Sequence, residues 1–285
     1  MKDQNLLRLL IIMSIVFIIG NIIAGFMGIK AAILVPFLGI SLGIFVFAHG
    51  IIHFGIKKLL ILMGLGIIVS FFYEVLSIAT GFPYGLFHYT EVFGPKLMGF
   101  PILVMLAYGL VAYVFWAVAE SLVSNYSNKL KGANIVLIPL IASALLTSWD
   151  YVLDPIFATI NKAYIWNAPG SYFGIPFTNF IGWYLATYTI FQIFALIICR
   201  QKKQKVPAIM RKKSYWYPPI VFYAGVFIQL FLAMVLQPNK EITIFSGQVF
   251  QTSYIYQSMT LVGIAVILVP AIIAFANVHA SKTLK

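Results

Sequence analysis

Apolar residues in this chain come in long unbroken runs, with neither the 3.6-residue stripe of a surface helix nor the alternation of a half-buried strand. Eight runs are long enough to cross a ~30 Å hydrocarbon core, which takes ~20 residues of helix. They lie at about 6–27, 31–52, 58–79, 101–123, 133–153, 178–199, 217–236 and 255–276. Pro36, Pro139 and Pro270 fall inside them, and membrane helices tolerate proline. The pattern predicts an all-α, polytopic integral membrane bundle of about eight transmembrane helices, with residues 1–285 forming one transmembrane domain. Only the short turn Gly28–Lys30 separates the first two runs. The first run begins with Lys2 and Arg8 like a signal peptide, but it is longer than such a core and lacks an Ala-x-Ala site. A retained helix is expected.

Composition agrees with this reading. Of 285 residues, 62% are hydrophobic and 9% charged, against roughly a quarter charged in soluble domains, and mean hydropathy is +0.98. These values exclude a soluble enzyme, a disordered chain and a nucleic-acid-binding module. The single Cys199 excludes an internal disulfide and any multi-cysteine metal site.

Charge then gives orientation. Nineteen Lys and Arg stand against seven Asp and Glu. With the N-terminus inside, fifteen of the basic residues fall on one face: Lys2, Arg8, Lys57, Lys58, Lys129 and Lys131, then seven between Arg200 and Lys213, and finally Lys282 and Lys285. Lys30, Lys96, Lys162 and Lys240 fall on the other. The positive-inside rule puts both termini in the cytoplasm. The basic stretch 200–213 is a topology determinant that also suits anionic lipid. Three connections on the opposite, outer side, about 80–100, 154–177 and 237–254, are long, apolar and aromatic. Such loops are expected to be re-entrant, because lipid offers their backbone no partners.

The rare acids carry the candidate chemistry. Asp3 and Glu241 belong to a tail and a loop, and Glu91 lies mid-loop without an assignment. Glu120 sits near the inner end of the fourth run, where a helix-end residue reaches water. Glu74 lies about five residues below the outer end of the third run. Asp150 and Asp154, spaced i, i+4, share a helix face near the outer end of the fifth. Three carboxyls from two helices thus reach one depth, and an ionisable group inside a span points to function. The structural alternative makes Asp154 a helix end before Pro155 and pairs Glu74 with Lys96. Apolar surroundings favour the neutral form of a carboxylic acid, which can then act as a general acid. His49 and His53, also i, i+4, lie near the inner end of the second run. They offer a metal- or haem-type spacing without a third ligand, and otherwise form an interfacial helix end.

The outer connections read TGFPYGLFHYT over 80–90, EVFGPKLMGFP over 91–101, SWDYVLDP over 148–155 and SYFGIPFTNFIGW over 171–183. Scattered aromatics would be an interfacial belt. Aromatics interleaved with Gly, Pro and carboxyls suit the wall of a cavity for a flat, elongated apolar ligand. Tyr84, His88, Tyr89, Trp149, Tyr172, Asn179 and Trp183 are the candidate binding residues.

These blocks, in this order over about 70–185, resemble the CruF-type membrane carotenoid hydratases, which include the bisanhydrobacterioruberin and γ-carotene end-group hydratases. The stretch after Pro101, ILVMLAYGLVAY, adds nothing to the likeness. The resemblance implies a carotenoid biosynthesis enzyme, a hydro-lyase, that adds water across the terminal C1=C2 bond of a ψ-ended isoprenoid chain. It implies no redox cofactor, and no metal is assigned. Matching polar positions are Glu74, Tyr84, Tyr89, Asp150, Asp154 and Asn179. General acid catalysis is expected from Asp150 or Asp154, with Glu74 orienting water and ring faces steadying a tertiary cation. Membrane lipid, the carotenoid and other carotenoid-pathway enzymes are the implied partners. The alternatives are a proton-coupled transporter and a non-catalytic carotenoid- or lipid-binding membrane protein.

Overall fold

The computed structural model describes residues 3–28, 34–127, 129–200, 206–244 and 246–285. Lys2, Lys30, Lys202, Lys203 and Lys205, used above for orientation, lie outside them. Among the described residues, eight helices are long and apolar enough to cross a membrane. They are α1 Asp3–Met27, α2 Val35–Phe54, α3 Ile56–Thr80, α4 Ile102–Leu122, α5 Asn134–Asp154, α6 Phe177–Cys199, α7 Lys213–Leu236 and α8 Thr252–Ala280. The protein is a polytopic all-α membrane bundle. Helix α1 packs chiefly on α7, α3 on α4, and α5 on α6. Ile15 and Ile19 of α1, Ile68 and Phe72 of α3, and Ile272 and Phe275 of α8 stay exposed on the outside, as lipid-facing positions do. Between α3 and α4 the backbones close in where Gly66 meets Gly109. A Cβ on Gly66 would sit 2.8 Å from the Tyr108 carbonyl oxygen, so only small residues allow this approach.

The bundle has two unlike ends. At one, short connections carry Lys57, Lys129, Lys131 and Arg211, and the C-terminus returns to the α6–α7 connection, with Lys285 and Arg211 hydrogen-bonded through their backbones. We call this the basic end. The other, the loop end, carries the long aromatic connections. These fold into small antiparallel ladders, not irregular coil. Strand β1 Phe87–Tyr89 pairs with β4 Tyr164–Trp166, β2 Lys96–Leu97 with β3 Phe100–Pro101, and β5 Glu241–Thr243 with β6 Val249–Gln251. Strand pairing supplies the backbone partners an apolar loop lacks.

Four prolines in or beside the helices share a pattern. A proline at i cannot donate to the carbonyl at i−4. Pro139 deprives Ile135, whose carbonyl accepts from Gln192 Nε2 at 3.2 Å. Pro219 deprives Tyr215, which accepts from His49 Nε2 at 2.7 Å. Pro270 deprives Val266, which accepts from the Tyr223 hydroxyl at 2.6 Å and Ser148 Oγ at 3.2 Å. Pro155 deprives Tyr151, which accepts from the Tyr172 hydroxyl at 2.9 Å. This last case corrects the reading of Asp154 as a helix end: past Pro155 the coil widens into a π-helical turn, Pro155–Ile160, and continues.

Candidate functional site at the loop end

The ladder between β1 and β4 builds the site. Alternation along β1 turns Phe87 and Tyr89 inward and leaves His88 exposed. Register sets Tyr89 opposite Tyr164, and their rings meet edge to face at 5.5 Å. Each phenol then reaches one carboxyl. Tyr89 donates to both oxygens of Glu74 at 3.2 Å, and Tyr164 donates to Asp154 Oδ1 at 2.5 Å. Asn179, in the first turn of α6, donates through Nδ2 to Asp154 Oδ2 at 2.7 Å. Asp150 differs: its Oδ2 is buried and has no hydrogen-bond partner among the described residues.

The three carboxyls line one cavity of about 240 Å³ between α3, α4, α5, α6 and the loop-end connections. Along α4 its lining runs from Leu103 to Phe115, a depth of ~18 Å at 1.5 Å per residue. The wall is aromatic. Tyr84 lies against Trp183 at 4.9 Å, and Trp183 stacks on Tyr108 at 4.9 Å, while Trp149 meets Phe115 edge to face at 5.0 Å. Gly182 lets Tyr84 approach α6, since a Cβ there would lie 2.7 Å from the Tyr84 ring.

The Tyr84, Tyr89 and Tyr164 phenols are held well above their ordinary range, foremost by burial and next by the neighbouring carboxyls. They stay protonated, so Tyr89 and Tyr164 remain donors to the acids.

Of the residues singled out from sequence, Glu74, Asp150, Asp154, Tyr84, Tyr89, Trp149, Asn179 and Trp183 line this cavity. His88 does not, because it sits on the outward side of β1. Tyr172 does not either. Its hydroxyl serves the carbonyl freed by Pro155, and burial raises that phenol to about 12. Glu74 does not pair with Lys96, whose ammonium lies 2.7 Å from the exposed Glu91 and 2.9 Å from the Tyr89 carbonyl oxygen. Sequence reasoning passed over Tyr164 and Tyr108. Tyr164 carried one signal, the short Tyr-Ile-Trp run of β4.

A second polar group corrects the reading of the other end. Glu120, expected to reach water, is fully buried, as are His49 and His53. His53 Nε2 lies 3.1 Å from Glu120 Oε2, close but without the alignment of a hydrogen bond. The Tyr113 hydroxyl bridges His49 Nδ1 and His53 Nδ1. The connections cover this group: Asn125 reaches Glu120 Oε1 at 3.2 Å, and Tyr126 packs on Trp216 at 5.1 Å. Among the described residues, no three His, Cys, Asp or Glu side chains are arranged to share a metal ion.

Comparison with known proteins fits this geometry. Residues 33–254 match a family described as carotenoid biosynthesis protein. The chain belongs to that family. Over 120 residues it is 29% identical to the bisanhydrobacterioruberin hydratase of Haloarcula japonica, a match spanning 41% of this chain and 38% of that relative. No solved structure matches.

Proposed function

We propose that this carotenoid biosynthesis protein is a hydratase that adds water across the terminal C1=C2 bond of a ψ-ended carotenoid. The observation that carries the reading is the convergence of three carboxyls on one aromatic slot, where Asp150, alone of the three, keeps an oxygen without a partner among the described residues. The name of the Haloarcula japonica relative points to the same reaction class.

The reaction follows from those groups. The chain end enters the slot and the polyene lies along α4. Asp150, as a carboxylic acid, gives its proton to C2; the π pair forms the new C–H bond and leaves a tertiary cation at C1 and a carboxylate on Asp150. The faces of Trp183, Tyr84 and Trp149 steady the cation, an interaction worth ~2 kcal/mol or more away from water. A water oxygen bonds to C1, and its surplus proton passes to a carboxylate, with Glu74 orienting the water. The proton returned to Asp150 restores the acid, so the sum is one water added per end. Asp154 is a positioning residue: both its oxygens accept from fixed donors, Tyr164 and Asn179. The basic end faces the cytoplasm and the slot lies toward the outer leaflet, as the placement of Lys and Arg favours.

The decisive experiment expresses the chain in a host that accumulates lycopene-type pigments and weighs the extracted carotenoids. A mass gain of one water per reacted end is expected. Full conversion by both the Asp150→Asn and Asp154→Asn variants would sink the assignment, and unchanged pigment with wild type would sink the activity.

A further inference from the structure

Beside the carboxyl slot lies a second chamber of about 210 Å³, reaching between α1, α2, α5, α7 and α8. The two cavities share side chains. Trp149 and Leu153 of α5 and Phe157 of the π-helical turn after it line both, together with Phe93 and Leu103. The chamber contrasts with the slot in its chemistry. It has no carboxyl, but Asn21, Asn161, Gln229 and Tyr256 all line it.

Some of those polar atoms lack protein partners. Asn161 Oδ1 is buried with none among the described residues. Asn21, in the buried part of α1, directs Nδ2 to the Phe17 carbonyl at 2.8 Å, which leaves its Oδ1 as a further acceptor. In the shared wall, Trp149 Nε1 is also buried without a partner among the described residues. A hydrocarbon occupant would leave such groups unpaired, at about 1–3 kcal/mol each. Water satisfies them. A buried water needs two to four polar partners and only ~10–15 Å³ of free volume, and this chamber exceeds both demands.

The slot, in contrast, is walled by rings, and a carotenoid end filling it closes the path along its own length. A hydration still consumes one water at C1. We propose that the chamber lined by Asn21, Asn161, Gln229 and Tyr256 holds that water and delivers it to the slot past Trp149, Leu153 and Phe157. The Trp149 indole N–H hands water from one cavity to the next. This inference rests on the hydratase reading for its chemistry, whereas the water content of the chamber is independent of it.

The test uses the full chain, purified in lipid nanodiscs, with Asn161→Leu and Gln229→Met as near-isosteric variants and Asn161→Ser as the variant that keeps a polar group. Two readouts are taken: steady-state hydration of a ψ-ended carotenoid, and radiolytic hydroxyl-radical labelling, which marks side chains that touch bound water. Wild type is expected to label at Tyr256 and Trp149, and the Leu and Met variants to lose that label. Those variants should also lose kcat by about tenfold, the order of one hydrogen bond, at unchanged KM, with Asn161→Ser restoring most of it. An unlabelled wild-type chamber overturns the proposal. So does wild-type kcat in the Leu and Met variants, and so does a raised KM at constant kcat, which would make the chamber a seat for the carotenoid chain. If wild type hydrates nothing, the hydratase reading and the delivery role fall together, and labelling alone decides whether the chamber holds water.

Discussion

The two ends of this bundle each bury acids among aromatic rings, yet they treat the acids oppositely. At the basic end, Glu120, His53, Tyr113 and His49 face one another. His49 stacks on Tyr215 at 3.9 Å and His53 on Phe54 at 4.2 Å, and none of the four polar residues lines the slot or the chamber. At the loop end, Glu74, Asp150 and Asp154 surround open volume, and donors reach only two of the three. Burial of an acid alone therefore does not make a cavity site. The group at the basic end ties α2, α4 and α7 together and opens on neither cavity, although Glu120 Oε2 has no hydrogen bond among the described residues; the carboxyls at the loop end face open volume, where Asp150 Oδ2 has no donor among those residues.

The sharpest way to break this contrast is to exchange the penalties. Asp150→Asn is expected to lower carotenoid hydration by about 10²–10⁴-fold, the usual worth of a general acid, with little change in thermal stability. Glu120→Ala should do the reverse. It removes a buried partner of His53 and Asn125 and should cost about 1–3 kcal/mol of stability, with kcat of the folded fraction within about twofold of wild type. Paired unfolding and turnover measurements decide, and equal losses of activity in the two variants would erase the distinction.

Smaller effects sharpen it. Tyr164→Phe deletes the donor to Asp154 Oδ1 and should slow hydration about tenfold, since hydrogen bonds to charged groups are worth ~1.5–3 kcal/mol. Alkaline pH probes the same phenols. Tyr89 and Tyr164 are raised in the folded protein, whereas an unfolded tyrosine ionises near ~10. Above that pH the unfolded chain loses protons the folded one keeps, so stability is flat below ~10 and falls as pH rises toward the folded values. Melts across alkaline pH should show that fall, and Tyr89→Phe should make it shallower. His88→Ala, on the outward face of β1, should change stability by no more than about 0.5 kcal/mol and leave turnover intact.

Local sequence carried much of this architecture and lost specific parts of it. The eight spans were legible because ~20 apolar residues in a row have few other uses. Asp150 and Asp154 were legible as a pair because i, i+4 spacing fixes a shared face, and Glu74 joined them because depth along a helix can be counted. Tyr164 was not, since its place depends on β4 meeting β1, a pairing between segments some 75 residues apart in the chain. Tyr108 and Tyr113 were hidden in a run that reads as uniform lipid-facing helix, yet they serve opposite ends of the molecule. Glu120 was misjudged for a different reason. Position near a helix end says how far a side chain is from water only if the next connection stays out of the way, and here Asn125 and Tyr126 fold over it.

The proline pairs bear on how such a chain can change over generations. Each joins a proline to a donor on another segment: Pro139 with Gln192, Pro155 with Tyr172, Pro219 with His49, and Pro270 with Tyr223. The two members are not equally dispensable. Replacing the proline first restores a backbone N–H while the side-chain donor still stands, so the carbonyl is never without a partner. Replacing the donor first strands the carbonyl at the first three pairs, in an apolar setting that offers no substitute; the Val266 carbonyl alone of the four keeps a second donor, Ser148 Oγ. Substitutions at the first three pairs therefore have a permitted order, proline before donor, and lineages that walk it backwards must cross a valley in stability.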